Sequence, residues 1–164
     1  MYSCNVPVPA DVSRLARGLA ADCYEATPRD RHTLVLKRLG DPDPDPRSLT
    51  RRVRRALEGV GPFEARTTDI ELFRDPPTGR GPVAYLGIES PALLEAHDAL
   101  CSVVDPVEGL EREEYVPHVT IARGGDADRL AGARTGDPIT WTVDSLIVWA
   151  APYAEAVRRI SLPA

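Results

Sequence analysis

His32-Thr33-Leu34-Val35-Leu36-Lys37 and His118-Val119-Thr120-Ile121-Ala122-Arg123 lie on one another without a gap, each with a histidine at its head and a base at its end. Apolar residues recur at alternate positions, Leu34 and Leu36 in the first and Val119 and Ile121 in the second, with β-branched enrichment. That pattern predicts two strands. A strand stands its side chains upright on a rigid surface. Two such strands side by side would present two imidazoles to one cleft, as paired acid and base chemistry requires.

Around these stretches the chain has 164 residues, enough for one domain, or two closely packed lobes, with a proper core. Apolar residues make up 43% and charged ones 27%, an ordinary globular balance. The absence of an apolar run of about eighteen residues, and an opening at Met1-Tyr2-Ser3 straight into a strand-like segment, predict neither a membrane span nor a secretory leader. A cytoplasmic protein is expected. Cys4, Cys23 and Cys101 are odd in number and lack Cys-x-x-Cys spacing, so they read as small core residues rather than a disulfide framework or a zinc site. A net charge of −5 excludes a general affinity for polyanions and makes any nucleic-acid contact local. Lys37 is the only lysine, and it falls inside the first histidine stretch.

The remaining elements follow from periodicity and breakers. Tyr2 to Val8 predicts a strand, and Val12, Leu15, Ala16, Leu19 and Cys23 a helix behind Pro9. Arg31 to Leu39 is the first histidine strand. The run Asp41-Pro42-Asp43-Pro44-Asp45-Pro46 predicts an extended loop. It fails as a calcium loop, because Pro46 stands at the sixth position and Arg52 at the twelfth. Asp45 caps the next helix, with Pro46 in its first turn and Leu49, Val53, Leu57 and Val60 on one face. Arg51, Arg52, Arg54 and Arg55 lie mostly off that face, as a solvated surface or a phosphate contact. Phe63 to Phe73 and Val83 to Ile88 predict a hairpin across a Pro/Gly-rich turn. Ser90-Pro91 caps a helix carrying Leu93, His97, Leu100 and Val104, in which His97 reads as structural. Beyond the second histidine strand, Asp126 is expected to cap a short helix. Ile139 to Trp149, bulged at Asp144-Ser145, and Ala156 to Leu162 close the chain. The order predicts an α+β fold with largely antiparallel sheets and an internal duplication.

Two histidines without a metal-ligand set, a nucleophilic cysteine or a glycine-rich phosphate loop suit phosphodiester cleavage. One imidazole takes a proton from the attacking oxygen while the other gives one to the leaving oxygen. Hydroxyls and cations beside the phosphorus stabilise the developing charge. Thr120 shares the His118 side of its strand. Arg123 and Lys37 are candidate cations, although an offset of five places them on the opposite face unless the strand twists or bulges.

With Tyr115-Val116-Pro117-His118-Val119-Thr120-Ile121-Ala122-Arg123 as its second motif, the chain resembles the two-histidine phosphoesterase superfamily, in the branch of 2'-5' RNA ligases and RNA 2',3'-cyclic phosphodiesterases. The resemblance covers Met1 to Pro163. It implies a single domain over 1–164 of two intertwined lobes, with a pseudo-twofold cleft between two sheets and helices outside. It also implies hydrolysis of RNA or nucleotide 2',3'-cyclic phosphate ends to 2'-phosphates, with 2'-5' RNA ligation as a related activity and no metal, cofactor or membrane. Carried onto this chain, it makes His32 the proton donor and His118 the proton acceptor, with Thr120, Thr33, Arg123 and Lys37 at the substrate. The first motif departs from the pattern, because Thr33 follows His32 directly and Leu34 stands where a hydroxyl residue belongs. Either a bulge turns Thr33 into the cleft, or the half-site lacks its hydroxyl and Lys37 or Arg38 compensates. An RNA-end binding module of the same fold is the alternative function.

Overall fold

A computed structural model describes residues 1–41 and 45–163. The expected extended loop thus lies in part, over residues 42–44, outside the described residues.

The chain opens with strand β1 (Tyr2–Val6) and helix α1 (Ala10–Ala20), whose Val12, Ala16, Leu19 and Ala20 form one buried stripe. A short strand β2 (Thr27–Pro28), not legible in the sequence, precedes β3 (Leu34–Gly40). Helix α2 (Pro46–Ala56) starts as expected, with the Asp45 carboxylate accepting from the Arg47 N–H at 2.9 Å and Pro46 in the first turn. The hairpin is β4 (Phe63–Phe73) and β5 (Val83–Glu89), paired antiparallel. Helix α3 (Pro91–Cys101) is capped by Ser90, whose hydroxyl accepts from Leu93 N–H and also donates to the Glu64 carbonyl at 2.6 Å, fastening the helix to β4. Strands β6 (His118–Arg123), β7 (Thr140–Val143), β8 (Ser145–Ala150) and β9 (Glu155–Ser161) complete the chain.

These strands form two antiparallel sheets, a four-stranded one ordered β3-β1-β8-β9 and a five-stranded one ordered β2-β6-β5-β4-β7. The expected bulge at Asp144-Ser145 is a change of sheet. Residues up to Val143 pair with β4, and residues from Ser145 pair with β1 and β9. Helix α1 packs on β6, and α3 packs on β3 and β4. Leu34, Leu36, Val119 and Ile121 are fully buried in the apolar core. A buried leucine of this kind contributes about 1.5–3 kcal/mol.

Two strand irregularities set up the site. The register of β3 against β1 slips between Cys4–Lys37 and Asn5–Val35, leaving Leu36 as an extra residue. The register of β6 against β5 slips between Ala84–Ala122 and Tyr85–Thr120, leaving Ile121 extra. An extra residue carries every later side chain to the other face.

Asp126 does not cap the short helical turn that follows it. Instead its carboxylate reaches back about a hundred residues and accepts from the N–H groups of Tyr24, Glu25 and Ala26, each at 2.9 Å. It thereby holds the segment that leads into β2 against the end of β6. Gly125 makes the approach possible, since a Cβ there would stand 2.4 Å from the Glu25 carbonyl group. Those N–H bonds lower the Asp126 pKa from 3.8 to about 2. A depressed carboxyl pKa means that the stabilisation is present above 3.8 and lost as pH falls towards about 2. Asp126→Ala is expected to lower stability at neutral pH and to flatten acid unfolding across that window, as read by circular dichroism. A variant with the wild-type acid profile would refute this role.

Candidate active site

Val35 and Arg38 of β3 face His118 and Arg123 of β6 across a cavity of about 140 Å³. Phe73, Tyr115, Val116 and the carboxylate-bearing Glu114 are among the other residues of its wall. The bulges explain why both arginines reach it. With Ile121 extra, Arg123 returns to the His118 face, and with Leu36 extra, Arg38 rather than Lys37 joins Val35.

His118 is held in a defined state. Its Nδ1 lies 2.7 Å from the Val116 carbonyl oxygen. A carbonyl only accepts, so Nδ1 carries a proton, and in the neutral ring the lone pair is then on Nε2. The ring packs edge-on against Phe73 and Tyr85, with centroids at 5.0 and 5.3 Å. Burial lowers its pKa below 6.5, the Val116 hydrogen bond opposes that, and Arg38 and Arg123 reinforce the decrease. The imidazole is therefore unprotonated at neutral pH and able to take a proton. Tyr85 stacks on Phe73 and donates its hydroxyl to Glu71, and burial with that bond raises its pKa to about 12. Tyr85 is thus buried packing behind the His118 ring and a hydrogen-bond donor, not a titrating group near neutrality. The sequence reading missed Phe73 and Tyr85. Only the pairing of Tyr85 with Thr120 brings them to the imidazole.

Arg123 donates through Nη1 to the Thr78 carbonyl at 2.8 Å, which fixes the guanidinium at the edge of the cavity. Thr120 is half-buried and, by strand alternation, shares the His118 face, but it does not line the cavity itself. Thr33 is half-buried immediately before the first residue of β3, two residues ahead of Val35, and does not line the cavity.

Lys37 does not touch the cleft, which corrects its expected role at the substrate. It is fully buried, and its ammonium donates to the Arg38 carbonyl at 2.7 Å, the Asp105 carbonyl at 3.0 Å and Glu111 Oε2 at 2.5 Å. All three protons are engaged. Glu111 Oε1 accepts from the Arg38 N–H at 2.7 Å, and Oε2 also accepts from the Val107 N–H at 2.9 Å. Burial alone would raise the Glu111 pKa, but the Lys37 bond and the two backbone donors outweigh it and hold it below 4.5. The pair clamps the bulge that presents Arg38.

His32 stands apart from His118. It precedes β3, is absent from the cavity wall, and both its ring nitrogens are buried without a hydrogen-bond partner. Burial lowers its pKa below 6.5, followed by the charges of Arg17 on α1 and of Arg29. Its neighbour Arg31 points elsewhere, with the guanidinium 4.3 Å above the Trp149 ring. His97 is structural as expected, and its ring is fully used. Nδ1 donates to the Leu36 carbonyl at 2.7 Å, Nε2 accepts from the Arg112 N–H at 2.9 Å, and the ring stacks on Tyr115 at 3.9 Å.

Among the described residues no three His, Cys, Asp or Glu side chains gather as a metal site would require, and no helix is long and apolar enough to cross a membrane. A separate cavity of about 610 Å³ between α2 and β9 is lined by Arg47, Arg51, Arg54 and Arg158. Two of the four clustered arginines thus line a concave surface.

Two antiparallel sheets that bring a histidine and two arginines to one cavity, backed by helices, define a bilobal α+β fold. The chain belongs to the 2'-5' RNA ligase superfamily, whose profile matches residues 12–151. No curated protein sequence matches it. Among solved structures it is similar to TT0787 of Thermus thermophilus, at 21% identity and a TM-score of 0.70 over 98% of this chain and 97% of that one. It is also similar to E. coli LigT complexed with ATP, at 17% identity and a TM-score of 0.68 over 99% and 97%. The 3'-AMP complex of LigT gives 17% identity and a TM-score of 0.64 over 99% and 98%.

Proposed function

We propose that the cleft receives the 2',3'-cyclic phosphate end of an RNA or a nucleotide and opens it to a 2'-phosphate with His118 as the base. The observation that carries this reading is the Nδ1–Val116 hydrogen bond, which places the lone pair of the neutral ring on Nε2, in a cavity flanked by Arg38 and Arg123. Nε2 takes a proton from water, the water oxygen bonds to phosphorus, and the bond from phosphorus to the 3' oxygen breaks. That oxygen leaves with the electron pair and is protonated by solvent. The two guanidinium groups and the Thr120 hydroxyl stabilise charge on the non-bridging oxygens. Side chains supply both the base and the cations of this scheme. LigT forms complexes with ATP and with 3'-AMP, which supports a nucleotide as the kind of ligand.

The test is incubation with a 2',3'-cyclic nucleotide followed by phosphorus NMR. A 2'-phosphate is expected, in the presence or absence of EDTA. A base must be unprotonated, so the rate should rise with pH through a value below 6.5 and then level off. A 3'-phosphate product, no product, or activity that EDTA abolishes and a divalent ion restores would overturn the reading.

A further inference from the structure

We propose that the first half of the cleft carries no imidazole, because Thr33, immediately before β3, rather than His32 stands in the register position that His118 holds at the start of β6. This rests on the cyclic-phosphate reading and deepens it, since it makes the protein a one-histidine site that grips the phosphate and turns it over slowly.

The two extra residues carry the argument. Superposing Leu36 on Ile121, the bulge residues of the two strands, places Thr33 on His118, Val35 on Thr120, Lys37 on Ala122 and Arg38 on Arg123. Burial agrees residue by residue. Thr33 to Arg38 run half-buried, buried, half-buried, buried, buried, half-buried, and His118 to Arg123 repeat that series without exception. The residues of known position concur, because Val35 and Arg38 line the cavity on one side and His118 and Arg123 on the other. Aligning the two histidines is therefore one residue out of structural register, and His32 corresponds to Pro117. A one-residue offset on a strand means the opposite face. That accounts for an imidazole whose nitrogens are enclosed and unpaired, with the α1 residue Arg17 as a neighbouring charge.

The chemical consequence concerns the leaving oxygen. The phosphate retains its cations from both halves, Arg38 and Arg123, so recognition is intact. No group on the first half donates a proton to the 3' oxygen as its bond to phosphorus breaks, since a threonine hydroxyl is too weak an acid for that role. Binding is conserved and turnover is limited.

Thr33→His should install the missing acid. A positioned proton donor contributes about 10²–10⁴ in rate, so kcat on a 2',3'-cyclic nucleotide should rise at least tenfold, with the calorimetric Kd for the same nucleotide changed by less than about tenfold. The variant's pH–rate profile should acquire a descending limb on the alkaline side, because an acid must be protonated to act. His32→Ala in the wild-type background should leave kcat within about twofold. The proposal falls if His32→Ala lowers kcat as much as His118→Ala does, or if a Thr33→His protein that melts like the wild type and binds the nucleotide shows no gain and no alkaline limb. If Thr33→His fails to fold, the His32→Ala arm still decides. Failure of the wild type itself to bind the nucleotide would overturn the underlying reading and this inference with it, and is distinguished by the calorimetry alone.

Discussion

His118→Ala is expected to lower the rate of cyclic-phosphate opening by about 10²–10⁴, with most of the loss in kcat. The reason is the division of labour within the cavity. In the proposed reaction Arg38 and Arg123 would hold the phosphate through charge and Nε2 of His118 would act on the attacking water, so removing the imidazole deletes proton transfer and leaves the cations that line the cavity in place. The ring also fills space against Phe73 and Tyr85, so thermal melting of the variant is needed beside the kinetics. A variant that binds a 2',3'-cyclic nucleotide with near-native Kd but turns it over within threefold of the wild type would remove His118 from the mechanism. His118→Asn is a useful companion, since its amide nitrogen takes the place of Nδ1 and can still donate to the Val116 carbonyl but cannot take a proton, and it should be as slow as the alanine variant.

Glu111→Ala should destabilise the fold by about 3–5 kcal/mol, because it strands the fully buried Lys37 ammonium without a counter-ion. For a domain of this size that corresponds to a fall in Tm on the order of 10 °C. Lys37→Met removes the other partner and leaves an unpaired carboxylate, so a loss of similar size is expected. The double variant Lys37→Met/Glu111→Leu should recover much of the stability, because two apolar side chains need no pairing. It should not recover phosphate binding to the same extent, since Glu111 also holds the Arg38 N–H and Lys37 the Arg38 carbonyl. Singles that melt within about 2 °C of the wild type would show that the buried pair matters little.

The amino-acid sequence by itself determined most of the elements and the family, though not the short strand β2. Period-two and helical apolar patterns marked the hairpin of β4 and β5 and the second histidine strand, and the caps at Asp45 and Ser90 marked two helix starts, because those signals are local and owe little to distant partners. The second half-site was equally legible, since His118 and Thr120 lie at alternate positions of one strand before its bulge. Only the tertiary structure decided the first half-site. Whether a strand carries an extra residue depends on what pairs beside it, and one extra residue at Leu36 exchanges the faces of Lys37 and Arg38. The partner that holds Lys37 away from the cleft, Glu111, is 74 residues away. The switch of sheets at Asp144 depends likewise on β4 and β1 competing for neighbouring stretches. Spacing along a chain reports the period of a strand, but the face a residue occupies is set by hydrogen bonds to strands far away in sequence.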